Sequence, residues 1–253
     1  MPQLLFLSLR DGEIGPAVAR AEYHDVLQSA GLEEGEGVHR IIDGPPAAIG
    51  PLDGIAGGIA GGSSLNVPAE GGYSAYQKHV HALLADLVER DLPVFFVCFG
   101  LSWLVHYAGG EGGRSHPEDS GPTTVCVTEE GRADVLLGPA PDTFTALTGH
   151  TENPETVPGA LQLLATTPDG AVQIVRYRDR VWATQFHAEM DAAAMQTRMD
   201  FYHDYGYFPA EEYARIVADL PNHDVAAANG LVQSFARYCF AEQTRPASPA
   251  ASN

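Results

Sequence analysis

Lysine is almost missing from this chain. Lys78 is the only one, and basic side chains total 14 against 33 acidic ones over 253 residues, a formal net charge of −19. A nucleic-acid binder needs a basic stripe to displace counterions from phosphates, so the charge argues against that class. It argues equally against docking on an anionic membrane surface. Cysteine is also scarce, with Cys98, Cys126 and Cys239 widely spaced. Three cysteines without a C-x-x-C pair make neither a disulfide framework nor a zinc site. No apolar run approaches the ~18 residues of a membrane span. The start, MPQLLFLSLR, has no basic segment ahead of its short apolar run. It reads as a first strand and not as a signal peptide, which sets the expectation of a cytoplasmic protein.

What is present is a strand and helix alternation. Leu4–Leu9 and Val38–Ile42 have strand length, and Pro16–Ala30 between them carries helical periodicity that stops at Gly31. Leu52–Ala60 is apolar and runs into Gly61-Gly62-Ser63, and Tyr73–Arg90 reads as a long amphipathic helix. Pro93–Val97 (PVFFV) is continuously apolar, as suits a strand covered on both faces. Helical spacing resumes at Leu101–Ala108. This series predicts an α/β fold, an open and mostly parallel sheet with helices on both faces.

Gly109–Gly121 is glycine-rich and charged, and reads as loop. Val125–Thr128, Thr143–Leu147, Leu161–Thr166, Ala171–Tyr177 and Val181–Phe186 are closely spaced strand candidates. Such spacing predicts antiparallel additions to the sheet. Helical patterns return after Asp191, through Met199, then Ala210–Leu220 and Val225–Phe240. The expected organisation is one domain over 1–190, a helical extension over 191–243 packed on it, and a disordered tail over 244–253.

Three short segments could carry chemistry. Cys98 follows the buried strand PVFFV and opens a helix. Ligands of open α/β sheets bind at the carboxyl ends of strands. A sharp strand-to-helix turn lifts a nucleophile out of the chain path, and a helix N-terminus favours the thiolate. Gln185-Phe186-His187-Ala188-Glu189 ends the strand VWATQF. Residues two apart in an extended segment point the same way, so His187 and Glu189 project together. His187 could then take a thiol proton while Glu189 fixes its tautomer. Gly61-Gly62-Ser63 ends a third strand, where glycines let main-chain N–H groups approach a substrate. The N–H groups of Gly62 and Phe99 are the candidate oxyanion donors.

These pieces in this order resemble the class I, triad-type glutamine amidotransferases, closest to the glutaminase domain of GMP synthase. The residues that carry the resemblance are DGIAGGIAGGSSLNV (53–67), PVFFVCFG (93–100), GHTENPETVP (149–158) and VWATQFHAE (181–189). It implies a flavodoxin-like sheet and a Cys98–His187–Glu189 triad. Cys98 would attack a glutamine side-chain amide, His187 would protonate the leaving ammonia, and water would hydrolyse the glutamyl thioester. No cofactor or metal is implied. Gly61, Ser63, Ser102, His150, Thr151 and Glu152 fall at expected substrate-binding positions. Four positions depart from the pattern. Phe96 replaces a glycine two residues before the nucleophile, and Ser102 replaces a glutamine four residues after it. Thr151 replaces a loop glycine, and Ala188 replaces the proline of the usual QFHPE. Hydrogen-bonding sites discriminate strongly, so these departures leave a γ-glutamyl amide other than free glutamine open as substrate. No synthetase domain is expected within 253 residues, so a separate acceptor chain, a stand-alone hydrolase, and a non-catalytic binding protein are the alternatives. The oligomeric state stays open.

Other candidates read as structural. Cys126 and Cys239 are expected in the core. His79 and His81, two apart on a helix, point in different directions and make a poor metal pair. Tyr73, Tyr76 and His79 are expected to be solvated or core rather than to line the mouth of a pocket. The aromatics Phe201, Tyr202, Tyr205, Tyr207 and Phe208 are expected to pack the C-terminal helices. Arg176, Arg178 and Arg180 are expected on a solvated edge.

Overall fold

The computed structural model describes residues 2–67, 71–202 and 210–244. In chain order its elements begin with β1 (Gln3–Ser8), α1 (Gly15–Ala30), β2 (Gly37–Ile41), β3 (Ile55–Ala60), α2 (Ala75–Glu89), β4 (Val94–Val97) and α3 (Phe99–Tyr107). The middle holds β5 (Gly112–Gly113), β6 (Glu118–Val127), α4 (Glu129–Arg132), β7 (Thr143–His150), β8 (Asn153–Pro154), β9 (Leu161–Thr166), β10 (Val172–Tyr177) and β11 (Val181–Thr184). The chain closes with α5 (Ala192–Phe201), α6 (Tyr213–Asp219) and α7 (Ala226–Thr244).

Nine strands form one mixed sheet in the order β2-β1-β3-β4-β11-β10-β9-β6-β7. The first five are mutually parallel. β10, β9, β6 and β7 then add in antiparallel fashion. Strand side chains alternate between faces, and both faces are covered. Leu4 and Phe6 of β1 join Val26 of α1 and Leu231 and Phe235 of α7. Leu5 and Leu7 join Val80 and Leu84 of α2 and Leu101 and Leu104 of α3 on the other side. That double cover is why β3 and β4 are buried at every position. A smaller cluster gathers Met190, Met195 and Met199 with Ile216 and Leu220 beside Leu147 of β7.

Helix ends follow local chemistry. Ser74 caps α2 by accepting from the Gln77 N–H at 3.0 Å, so that helix starts at Ala75 and leaves Tyr73 outside it. Asp191 caps α5 through the Ala194 N–H at 2.9 Å. Gly31 ends α1 in the left-handed region, at φ 68°.

Several expectations are corrected. The 109–121 stretch is not all loop: Gly112–Gly113 pairs with Asn153–Pro154, and β6 begins at Glu118, opposite His150. Polar residues masked this strand because its carboxylate is satisfied inside the protein. β10 lies between β11 and β9, so the arginines are on no sheet edge. Arg176 binds the buried Asp134 at 2.7 Å. Arg178 and Arg180 belong to the hairpin after β10, where they pair with Glu89 and Asp91. Cys126 is only partly buried, unlike Cys239. Thr244 ends α7, while 245–253 lie outside the described residues, as do Tyr205, Tyr207 and Phe208. Among the described residues no helix is long and apolar enough to cross a membrane.

Candidate active site

β3, β4 and β11 are adjacent and parallel, so their carboxyl ends lie side by side. The Gly61-Gly62-Ser63 turn, Cys98 and the Gln185–Glu189 segment each follow one of those ends. The topology therefore brings together residues far apart in sequence.

Cys98 sits between β4 and α3 at φ 53° and ψ −102°, a region that residues with a Cβ rarely occupy. Its N–H donates to the Thr184 carbonyl at 2.7 Å, which ties the turn to β11. Phe96 does not loosen the turn. It is fully buried on the sheet face covered by α2 and α3, with its ring 5.5 Å from that of Trp103. The space it needs comes from Gly100, where an added Cβ would lie 2.6 Å from the Phe96 Cβ. Bulk before the cysteine is matched by its absence after it.

His187 and Cys98 both lie against Gly62, and the His187 Nδ1 donates to Glu189 Oε1 at 2.7 Å. Burial pushes the imidazole pKa down, but the charge of Glu189 and its hydrogen bond, with Cys98 adding in the same direction, outweigh it and raise the pKa to about 10. The segment is pinned from three directions. The His187 N–H donates to the Leu147 carbonyl at 2.8 Å. The Thr184 hydroxyl donates to the Phe186 carbonyl at 2.9 Å. Asn229 of α7 donates to the Ala188 and Met190 carbonyls at 2.8 and 3.0 Å.

Gly62 lies against both side chains. A Cβ there would be 3.0 Å from His187 Cε1 and 3.6 Å from Cys98 Cβ, so only glycine lets this backbone approach so closely. Phe99 opens α3, where first-turn N–H groups have no intrahelical acceptor. Gly61 packs on the Phe6 ring, where a Cβ would come within 2.9 Å. The Ser63 hydroxyl donates to the Leu9 carbonyl at 3.1 Å and anchors the turn to the end of β1.

Two cavities meet at Cys98. The larger is lined by Phe99, Ser102, Thr151, Glu152, Glu118 and Gln185 among others. His150 lines it too, and its Nε2 binds Glu118 Oε2 at 2.7 Å. Glu152 accepts from the Val67 N–H at 2.6 Å, and burial pushes its carboxyl up to about 7. Gly61 lines neither cavity, while Ser63 lines both. Sequence reasoning missed Glu118, whose carboxylate gathers Thr123, Thr148, His150 and Gln173, because it lay in an apparent loop. It also missed Gln185, although that residue stands in the quoted motif; its buried Oε1 has no partner among the described residues.

The smaller cavity is lined by His187, Arg10, Arg198, Tyr202 and three methionines among others. Neither arginine was anticipated. Tyr73, Tyr76 and His79 line neither cavity. The Tyr76 hydroxyl donates to the Ile42 carbonyl, His79 contacts the Ala47 carbonyl, and Tyr73 packs on His81. Among the described residues no group of three or more His, Cys, Asp or Glu side chains is arranged to hold a metal ion. A buried thiol, a basic imidazole and a carboxylate in series can perform nucleophilic acyl transfer.

The chain is similar to known proteins in sequence and in fold. A GMP synthase (glutamine-hydrolyzing) of Aeropyrum pernix is 35% identical over 106 residues, 42% of this chain and 20% of that protein. A separate glutamine-hydrolyzing GMP synthase chain of Methanococcus maripaludis, one component of that enzyme, is 28% identical over 104 residues, 41% of this chain and 53% of that protein. The matched stretch thus spans about a fifth of the one and half of the other. In fold, the chain is similar to a glutamine amidotransferase from Thermotoga maritima, with a TM-score of 0.73 at 16% identity over 94% of this chain and 98% of that one. The family model described as "Glutamine amidotransferase class-I" matches residues 70–203, more than half of the chain. The chain belongs to the class-I glutamine amidotransferase family.

Proposed function

We propose that this protein hydrolyses a glutamine side-chain amide through a thioester on Cys98 and releases ammonia. The observation that carries this reading is that Cys98 and the hydrogen-bonded pair His187 and Glu189 meet at the adjacent ends of β4 and β11. The Cys98 sulfur attacks the amide carbon. The oxyanion forms toward the N–H groups of Gly62 and Phe99, and His187 hands its proton to the leaving nitrogen. Water, deprotonated by His187, then attacks the thioester and frees glutamate. Glu189 holds the imidazole in the tautomer both steps require. The acyl chain lies in the larger cavity, beside Ser102, His150, Thr151 and Glu152.

The Methanococcus maripaludis relative is one component of a GMP synthase, which supports the ammonia's passing to a separate synthetase chain. The same reading takes 1–190 as the amidotransferase-like domain and 191–243 as a helical extension of it. Its support is the burial of Leu231, Val232 and Phe235 of α7 with the sheet core.

The test is ammonia release from L-glutamine by wild type and by Cys98→Ala. Removing the nucleophile should lower kcat by about 10³-fold or more, because the triad acts as a unit. Activity surviving in Cys98→Ala would reject this role for Cys98.

A further inference from the structure

Two cavities meet at Cys98, and a third touches the triad only at Glu189. Its walls include Asp25 and Ser29 of α1, Asp191 at the start of α5, and Asn229 and Gln233 of α7. Glu189 is only 4% exposed. Its Oε1 accepts from His187 Nδ1, while its buried Oε2 has no hydrogen-bond partner among the described residues. A buried carboxylate oxygen without a donor is costly unless a ligand or water meets it.

The groups held fixed on that wall are left as acceptors. Asn229 directs both Nδ2 hydrogens to the Ala188 and Met190 carbonyls, which leaves its Oδ1. The Ser29 hydroxyl donates to the Val26 carbonyl at 3.2 Å, which leaves its lone pairs. Asp191 holds the Ala194 N–H with one oxygen. Among the described residues no lysine or arginine lines the cavity. The charges that act most on Asp25 are one cation, Arg198, and three carboxylates, Glu189, Asp191 and Glu22. Arg198 is itself bound to Glu22 at 3.0 Å. Burial, joined by the three carboxylates, outweighs Arg198 and raises the Asp25 carboxyl to about 7.

A ligand for this wall must bring N–H donors and positive charge. Among the described residues no cluster of His, Cys, Asp or Glu is arranged to hold a metal ion. Glu189 offers a single oxygen, not the pair that a planar guanidinium fork grips best. An ammonium, a compact charge with N–H donors on every side but one, meets both demands. The chain's only lysine, Lys78, belongs to α2, on the opposite face of the sheet from α1 and α7.

We infer that the cavity behind Glu189 binds the ammonium group of an external alkylamine, with its N–H groups on Glu189 Oε2, Asp25 and Asn229 Oδ1. A free amine and the lysine side chain of a partner protein present the same chemistry. The bound ammonium draws on the carboxylate that stabilises the His187 imidazolium, so occupancy lowers the pKa of His187. The site thereby links an external amine to the triad.

The test follows the amide resonances of the 15N-labelled protein through titrations at constant ionic strength. The probes are n-butylammonium, tetramethylammonium, n-butanol and Nα-acetyl-lysine amide. n-Butylammonium should shift the amides of Ala194, Asn229 and Gly230, which line the cavity. It should bind at least about tenfold more tightly than tetramethylammonium, which has the charge but no N–H, the size of one charge-assisted hydrogen bond. n-Butanol should leave these amides unmoved. Asp25→Asn should weaken n-butylammonium about tenfold, and if this variant fails to fold the wild-type comparison decides. With the amine bound, the His187 Hε1 resonance should titrate at lower pH. Tighter binding of the lysine amide supports the site with a partner's lysine as its source, and tighter binding of n-butylammonium supports it with a free amine. Equal binding of n-butylammonium and tetramethylammonium, or unmoved cavity amides, overturns the site. Binding with an unchanged His187 titration overturns the contact with Glu189. None of these readouts needs turnover, so failure of the amine site and failure of the thioester role of Cys98 are seen separately.

Discussion

Asn229, in the second turn of α7, donates both of its Nδ2 hydrogens to the backbone around Glu189, to the Ala188 carbonyl at 2.8 Å and the Met190 carbonyl at 3.0 Å. A helix some forty residues downstream thus fixes the segment that carries His187 and Glu189. Asn229→Ala leaves two carbonyls without these donors and lets Glu189 drift from the imidazole. Misplacement of that kind lowers kcat with little change in KM, by about 10–10²-fold. Steady-state kinetics on glutamine separate the two parameters. A change confined to KM would contradict the positioning role.

A side chain at Gly62 would crowd His187 and Cys98. The added methyl of Gly62→Ala meets His187 Cε1 at 3.0 Å and Cys98 Cβ at 3.6 Å, between the proposed nucleophile and base. The expected loss is about 10²-fold in kcat, comparable with losing one oxyanion donor. The melting temperature should stay near wild type, since His187 needs to yield by only a few tenths of an ångström. A fully active Gly62→Ala would remove Gly62 from the site.

The imidazole sets a pH dependence of stability. His187 has a folded pKa of about 10, above its ordinary 6.5. Between those values the folded protein holds a proton that the unfolded chain has released. Its contribution is thus complete below about pH 6.5 and is lost as pH rises through 10. Glu152 acts in the same direction at lower pH: its carboxyl is raised to about 7, so its contribution fades between about 4.5 and 7. Glu152→Gln keeps an acceptor for the Val67 N–H and cannot ionise. Chemical denaturation from pH 5 to 8 should show a smaller fall in stability for Glu152→Gln than for wild type. An identical fall in both proteins would contradict an ionising Glu152.

The three thiols should differ in reactivity. Cys239 is fully buried against Gly57, where a Cβ would come within 2.3 Å of its sulfur, and burial pushes its pKa far up. In the native protein a small alkylating reagent should modify Cys98 first and leave Cys239 untouched until unfolding. Peptide mapping after brief treatment reads this directly, and early modification of Cys239 would contradict its packing.

Much of this was legible in the sequence, and for identifiable reasons. Continuous apolar runs such as PVFFV mark strands covered on both faces, and the glycine turn, Cys98 and QFHAE each follow such a run. Parallel neighbours then bring their ends together, and that step needs no knowledge of side-chain packing. What stayed hidden depends on long-range satisfaction of polar groups. Glu118 looked like loop because its four partners come from β6, β7 and β10. Arg10, Glu22 and Arg198 form one ion cluster from three separate segments, and no local pattern connects them. Phe96 looked disruptive until Gly100 was seen to yield the space. Asn229 carried no signal, since an asparagine on a helix is usually solvated.

The most direct measurement is the reaction of the protein with a glutamine-like diazoketone, followed by intact mass and peptide mapping. The expected result is one equivalent of label on Cys98, formed quickly in wild type and lost in His187→Ala. Labelling elsewhere, or at a rate indifferent to His187, would contradict the assignment of Cys98 and His187 as nucleophile and base.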